Sequence, residues 1–229
     1  METQLTLKEK FLLLNYDPEK GRLVATGQFF AYGLSGTCLL ELAELERINI
    51  KDKRVVVLSS KHTGDKALDL ILDLLARKEK PKRVSTWINK FSNYVVHRKV
   101  KRILLEGLIG KRILQKEEAR ALFIFKYDKY PARSTVARKA LIKSLQELVL
   151  RNREADKDIY LIVALIGAIR GVNKFFTGKD RKIARKRIKE IMNDSEISKV
   201  VSETVTAVQG AIIASIAAST VVTTTAGGS

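Results

Sequence analysis

Arg98, Lys101 and Arg102 stand three and four residues apart inside a stretch, 95–108, whose Val96, Val100, Ile103, Leu104 and Leu108 recur at helical spacing. A helix there sets the three cations on the face opposite the apolar residues. Groups gathered in this way attract phosphates and other anions, a guanidinium through paired donors and an ammonium as a point charge. A second stretch repeats the arrangement: Ala184, Ile188 and Ile191 are spaced to pack, while Arg181, Lys182, Arg185, Lys186 and Lys189 turn outward. Across the chain, 43 Lys and Arg oppose 25 Asp and Glu, a net charge of +18. Such a field attracts any polyanion, so nucleic acid, an anionic membrane face and phosphoinositide headgroups all suit it.

Other chemistry is thinly represented. Neither histidine, His62 or His97, has a Cys or His at ligand spacing, and no metal site is expected. The single cysteine, Cys38, falls in the apolar run 34–42; it excludes an intrachain disulfide, reads as a small core residue and fits a reducing interior. There is no Gly-x-Ser-x-Gly elbow. Gly107-Leu108-Ile109-Gly110-Lys111-Arg112 has neither the glycine spacing nor the hydroxyl residue after the lysine that a phosphate loop needs. Glu117 with Glu118, and Asp156 with Asp158, read as solvated surface and helix-start charge. The expectation is a protein without catalytic residues and without a cofactor.

The elements that must carry these groups are mostly helical. Thr6 and Glu9 form a capping box ahead of a helix ending near Leu14. Asp17-Pro18-Glu19-Lys20-Gly21 is a turn. Residues 29–46 suit a mostly buried helix in which Gly33 and Gly36 allow close approach of a neighbour, and 48–60 is strand-like. Asp65 or Thr63 caps a helix over 66–77; Pro81 breaks the chain, and a short helix over 85–91 follows, with Trp87 expected in the core. Phe123, Phe125, Tyr127 and Tyr130 alternate in a segment, 121–131, that predicts a β-hairpin projecting between helices. Residues 135–151, 158–176, 180–192 and 196–218 predict four successive helices. The fold class is therefore mainly α, with a single domain over 1–218 and a flexible tail over 219–229.

No charge occurs from Thr204 to Ser229, but Thr, Ser, Ala, Gln and Gly dilute the segment. A buried last helix that frays into 223–229 is expected there rather than a transmembrane tail. The amino terminus lacks the basic flank and apolar run of a signal peptide, so a cytoplasmic location is expected.

Several blocks, in order, carry a family resemblance. They are Leu5-Thr6-Leu7 with Glu9 and Leu12-Leu13-Leu14; Gly33-Leu34-Ser35-Gly36-Thr37-Cys38-Leu39-Leu40-Glu41-Leu42-Ala43; Thr63-Gly64-Asp65 with Leu68-Asp69; and Trp87-Ile88. Arg98-Lys99-Val100-Lys101, the aromatic hairpin and the helix over 139–150 continue the series. Over most of 5–218 the chain resembles the Golgi phosphoprotein 3 family.

The resemblance implies a central helical bundle surrounded by amphipathic helices. It also implies a peripheral membrane protein that binds phosphatidylinositol 4-phosphate and holds the short cytosolic tails of membrane enzymes. The family's headgroup pocket uses a Trp and an Arg near a Gly-Leu-x-Gly block, and two basic residues three apart on a later helix. Arg98 and Lys101 match the later pair, with Arg102 beside them, whereas Thr26 and Ser35 stand where the Trp and the first Arg would be. Losing a guanidinium fork and a rigid aromatic wall weakens selectivity for one headgroup, and this departure points to a prokaryotic relative. General attraction to anionic lipid, about 1 kcal/mol per basic residue near the surface, survives the loss. The resemblance also assigns the hairpin with Phe123, Phe125, Tyr127 and Tyr130 to membrane contact or homo-oligomer formation. The alternative reading, a nucleic-acid-binding protein, has charge in its favour but no reading motif and few aromatics for base stacking.

Overall fold

The computed structural model describes residues 4–23, 27–78, 80–121 and 125–192, with 203, 204, 206 and 210; the side chains of Ala121 and Phe125 lie outside the description. Thr26, Phe123, the helix expected over 196–218 and the tail over 219–229 therefore fall outside the described residues, apart from those four positions. In chain order the elements begin with α1 (Leu7–Leu14), β1 (Tyr16–Asp17), β2 (Arg22–Leu23), α2 (Gln28–Glu44), β3 (Ile48–Lys51) and β4 (Arg54–Val57). Next come α3 (Lys66–Ala76), β5 (Lys82–Arg83), α4 (Val84–Phe91) and α5 (Tyr94–Gly110). The described chain closes with β6 (Glu117–Ala121), β7 (Phe125–Lys129), α6 (Val136–Arg151), α7 (Lys157–Ala168), α8 (Val172–Phe175) and α9 (Asp180–Met192).

Two helices, α2 and α7, are buried nearly all round. Every residue from Phe30 to Leu42 is buried, as is Leu161 through Ile166, which is the fate of a helix without a polar face. Gly33 lets α1 lie against α2, because a Cβ there would run into the Phe11 ring. The surrounding helices are amphipathic: α3 packs through Leu68, Ile71, Leu72 and Leu75, and α9 through Ala184, Ile188 and Ile191. The architecture is thus mainly α, a central bundle within amphipathic helices, with small antiparallel hairpins.

Local signals decided most boundaries. The Thr6 hydroxyl accepts from the Glu9 N–H while the Glu9 carboxylate accepts from the Thr6 N–H at 2.9 Å, closing the capping box. Asp65 caps α3, accepting from the N–H groups of Ala67 and Leu68 at 2.9 and 3.0 Å. Three segments depart from the sequence expectation. The strand over 48–60 is a hairpin, β3–β4, that turns at Asp52 and Lys53, both left-handed (φ 50° and 58°) as a primed turn requires. The helix over 158–176 breaks at Arg170 (φ 55°), where the Gly171 N–H reaches back to the Ile166 carbonyl at 2.8 Å. The aromatic hairpin begins earlier, since β7 pairs with β6 from Glu117 onward. Lys126 meets Glu118 at 3.1 Å and Lys116 meets Asp128 at 3.0 Å, so Glu118, on the solvated surface as its sequence suggests, also takes part in cross-strand pairing.

A charged cluster centred on Lys8 is buried. Lys8 of α1 is 1% exposed, and its Nζ lies 2.8 Å from Glu41 of α2 and 2.7 Å from Asp65 at the head of α3. Burial works against the ammonium charge, yet the two carboxylates outweigh it and raise the Lys8 pKa. Among the described residues no helix is long and apolar enough to cross a membrane.

Candidate functional site

The β1–β2 turn is shaped by Asp17, whose Oδ1 accepts from the N–H groups of Glu19 and Lys20 at 3.0 and 2.9 Å. Gly21 follows in the left-handed region (φ +58°), and a Cβ there would come within 2.7 Å of the Pro131 nitrogen. Its carbonyl accepts from the Tyr16 hydroxyl at 2.5 Å and from the Tyr130 N–H at 3.0 Å. The turn is thereby joined to the chain leaving β7. The next residue, Arg22, is brought beside α5.

α5 starts at Asn93, whose Oδ1 accepts from the Val95 N–H at 2.8 Å, and it buries Val100, Leu104, Leu105 and Leu108. Arg98, Lys101 and Arg102 line a single concavity of about 670 Å³, and the structure therefore brings the three predicted cations together. It adds Lys99 from the same helix and Arg22 from β2. Tyr94 and Tyr130 also line the space, and Tyr94 and Val95 are 73% and 57% exposed. Asp128 is the acid among the described lining residues, and it is engaged by Lys116.

The cations differ in how firmly they are held. Arg98 donates to the Tyr94 hydroxyl at 3.1 Å and lies 5.7 Å from that ring, which orients its guanidinium. Arg102 pairs with Glu106 at 3.7 Å with both side chains largely exposed, a contact that solvent reduces to little. Lys99 and Lys101 form no ion pair among the described residues. His97 adds no charge near neutral pH, because burial, and then Lys101, lower its pKa to about 4.

Ser35 lies on a different side of α5. It is buried, its hydroxyl donates to the Ala31 carbonyl at 2.8 Å, and it borders a void of about 10 Å³ with His97 and Val100. The guanidinium that the resemblance places at position 35 has no counterpart there. Arg22 supplies one to the concavity from another element. The sequence showed the turn at 17–21 but not its destination, so Arg22 escaped notice.

The hairpin tyrosines separate. Tyr130 lines the concavity, whereas Tyr127 is 46% exposed on β7. The second basic helix, α9, stays apart from the concavity: Arg185 donates to Asn173 at 3.0 Å, and Arg187 pairs with Glu190 at 3.2 Å. His62 contacts Asp73 at 3.1 Å on the surface, and no group of three or more metal-ligating residues occurs among the described ones. Cys38 is enclosed, and burial pushes its thiol up to about 12.

A helical bundle with a basic, aromatic-walled concavity beside one amphipathic helix defines the class of protein. The chain belongs to the Golgi phosphoprotein 3 (GPP34) family, which it matches over residues 7–208. Vacuolar protein sorting-associated protein 74 of Eremothecium gossypii is 29% identical over 174 residues, covering 67% of this chain. The chain spans about half, 52%, of that relative's length.

Proposed function

We propose that this protein is a peripheral membrane adaptor that docks on anionic lipid headgroups through Arg98, Lys101 and Arg102, with Arg22 as a fourth donor. Phosphatidylinositol 4-phosphate or a related phospholipid is the ligand class, and the tails of membrane-bound enzymes are the clients. The observation that carries this reading is the convergence of β2 and α5 cations on one concavity whose lining acid is already paired. Exposed Tyr94 and Val95 offer apolar contact beside that charge. Membership of the Golgi phosphoprotein 3 family supports the adaptor role. The hairpin carrying Phe123, Phe125, Tyr127 and Tyr130 serves membrane contact or self-association in this reading.

Co-sedimentation with neutral, phosphatidylserine and phosphatidylinositol 4-phosphate vesicles tests it, run beside a nucleic-acid gel shift at matched salt. Arg98→Ala with Lys101→Ala removes about 2 kcal/mol of attraction, roughly a thirtyfold loss of vesicle affinity. Arg185→Ala with Lys186→Ala removes the same charge from α9 and weakens binding less. Equal losses, or binding to nucleic acid without binding to vesicles, refute the reading.

A further inference from the structure

A second basic centre lies in the connection from α3 to α4. Residues 77–83 read Arg-Lys-Glu-Lys-Pro-Lys-Arg, five cations to one acid, with Glu79 outside the described residues. Lys78, Lys80 and Lys82 line a cavity of about 180 Å³ whose apolar wall includes Val55, Val57 and Leu75. Arg77, Lys78, Lys80, Lys82 and Lys90 form no ion pair with any described residue, and Arg54 stands directly opposite Arg83 across the β4–β5 ladder. Like charges so placed repel one another. Burial, and then the nearby charges of Lys78, Lys82 and Arg77, lower the Lys90 pKa.

Trp87 of α4 lines the same cavity. It is 2% exposed, and its indole N–H is enclosed without a hydrogen-bond partner. A buried donor left unmet is costly, and most such groups in folded proteins find an acceptor. Lys90 lies 5.0 Å from the ring centroid of Trp87, so the indole is held between core packing and a surface cation.

We infer that this cavity binds a phosphate-type anion, inorganic phosphate or the phosphomonoester of a headgroup, with the Trp87 N–H donating to one oxygen and Lys78, Lys80 and Lys82 balancing its charge. Several lysines around a small volume favour a dianion over a single carboxylate, and the indole requires an acceptor oxygen. The volume of about 180 Å³ admits a phosphate. This site shares no lining residue with the α5 concavity, and it stands whether or not that concavity binds lipid.

Trp87 is the single tryptophan, so its emission reports from the wall of the cavity. The full chain is titrated with inorganic phosphate against chloride at matched ionic strength, and in parallel with phosphatidylinositol 4-phosphate vesicles against phosphatidylserine vesicles. A saturable change in either phosphate arm, weakened about tenfold or more by Lys78→Gln with Lys82→Gln and unaffected by Arg185→Gln with Lys186→Gln, supports the site. The arm that saturates identifies the source as free phosphate or lipid. Trp87→Phe keeps most of the packing but removes the donor, and calorimetric titration of that variant should show a loss of similar size. A non-saturating response in both arms, an equal response to chloride and phosphatidylserine, or indifference to the Lys78 and Lys82 changes overturns the inference.

Discussion

Replacing Lys8 by Met should be among the most damaging single substitutions available, and its cost should depend on pH. The ammonium is 1% exposed and lies between Glu41, whose side chain is 9% exposed, and Asp65, whose side chain is 33% exposed. Removing it strands the Glu41 carboxylate in the interior, a change worth about 3–5 kcal/mol. For a chain of this size that corresponds to a fall in Tm of roughly 6–20 °C. Burial already outweighs Lys8 and pushes the Glu41 pKa above the ordinary carboxylate range, and without Lys8 it rises further. A carboxyl with a raised folded-state pKa favours the folded state when protonated. The deficit of Lys8→Met is therefore largest near neutral pH and shrinks as pH falls through the raised value toward that of an ordinary glutamate. Thermal and urea unfolding followed by circular dichroism, near pH 7 and at about pH 5, measures both effects. Adding Glu41→Met should restore much of the loss, because Asp65 is partly solvated and still caps α3. A loss below about 1 kcal/mol, or one that is the same at both pH values and not rescued by Glu41→Met, would refute the view that the pairing of buried charges joins α1, α2 and α3.

Two further outcomes are expected. His97, depressed from 6.5 to about 4, favours the folded state only while neutral, so stability should decline as pH falls through that window. His97→Leu should flatten the urea midpoint against pH there, and parallel curves would contradict the assignment. Gly33→Ala should destabilise by about 1–3 kcal/mol in urea unfolding, since its Cβ meets the Phe11 ring and lies 3.1 Å from Ile169. An unchanged midpoint would mean that α1 and α2 have room to separate.

Relations that run over one or two helical turns were legible in the sequence. The Thr6–Glu9 capping box, the packing face of α9 and the shared face of Arg98, Lys101 and Arg102 all follow from helix geometry, which fixes which side chains are neighbours a few residues apart. The family resemblance added the central bundle and the α5 pair. The family's other two pocket residues are replaced here by Thr26 and Ser35, and only the folded chain shows that Ser35 is enclosed against a different side of α5 from the concavity. Tertiary structure alone decided that Arg22 joins those cations, that Lys8 meets Glu41 33 residues away, and that Trp87 carries an unmatched N–H beside three lysines. Such meetings depend on how loops close and how faces pack, and hydrophobic periodicity records which side of a helix is buried without recording what lies against it.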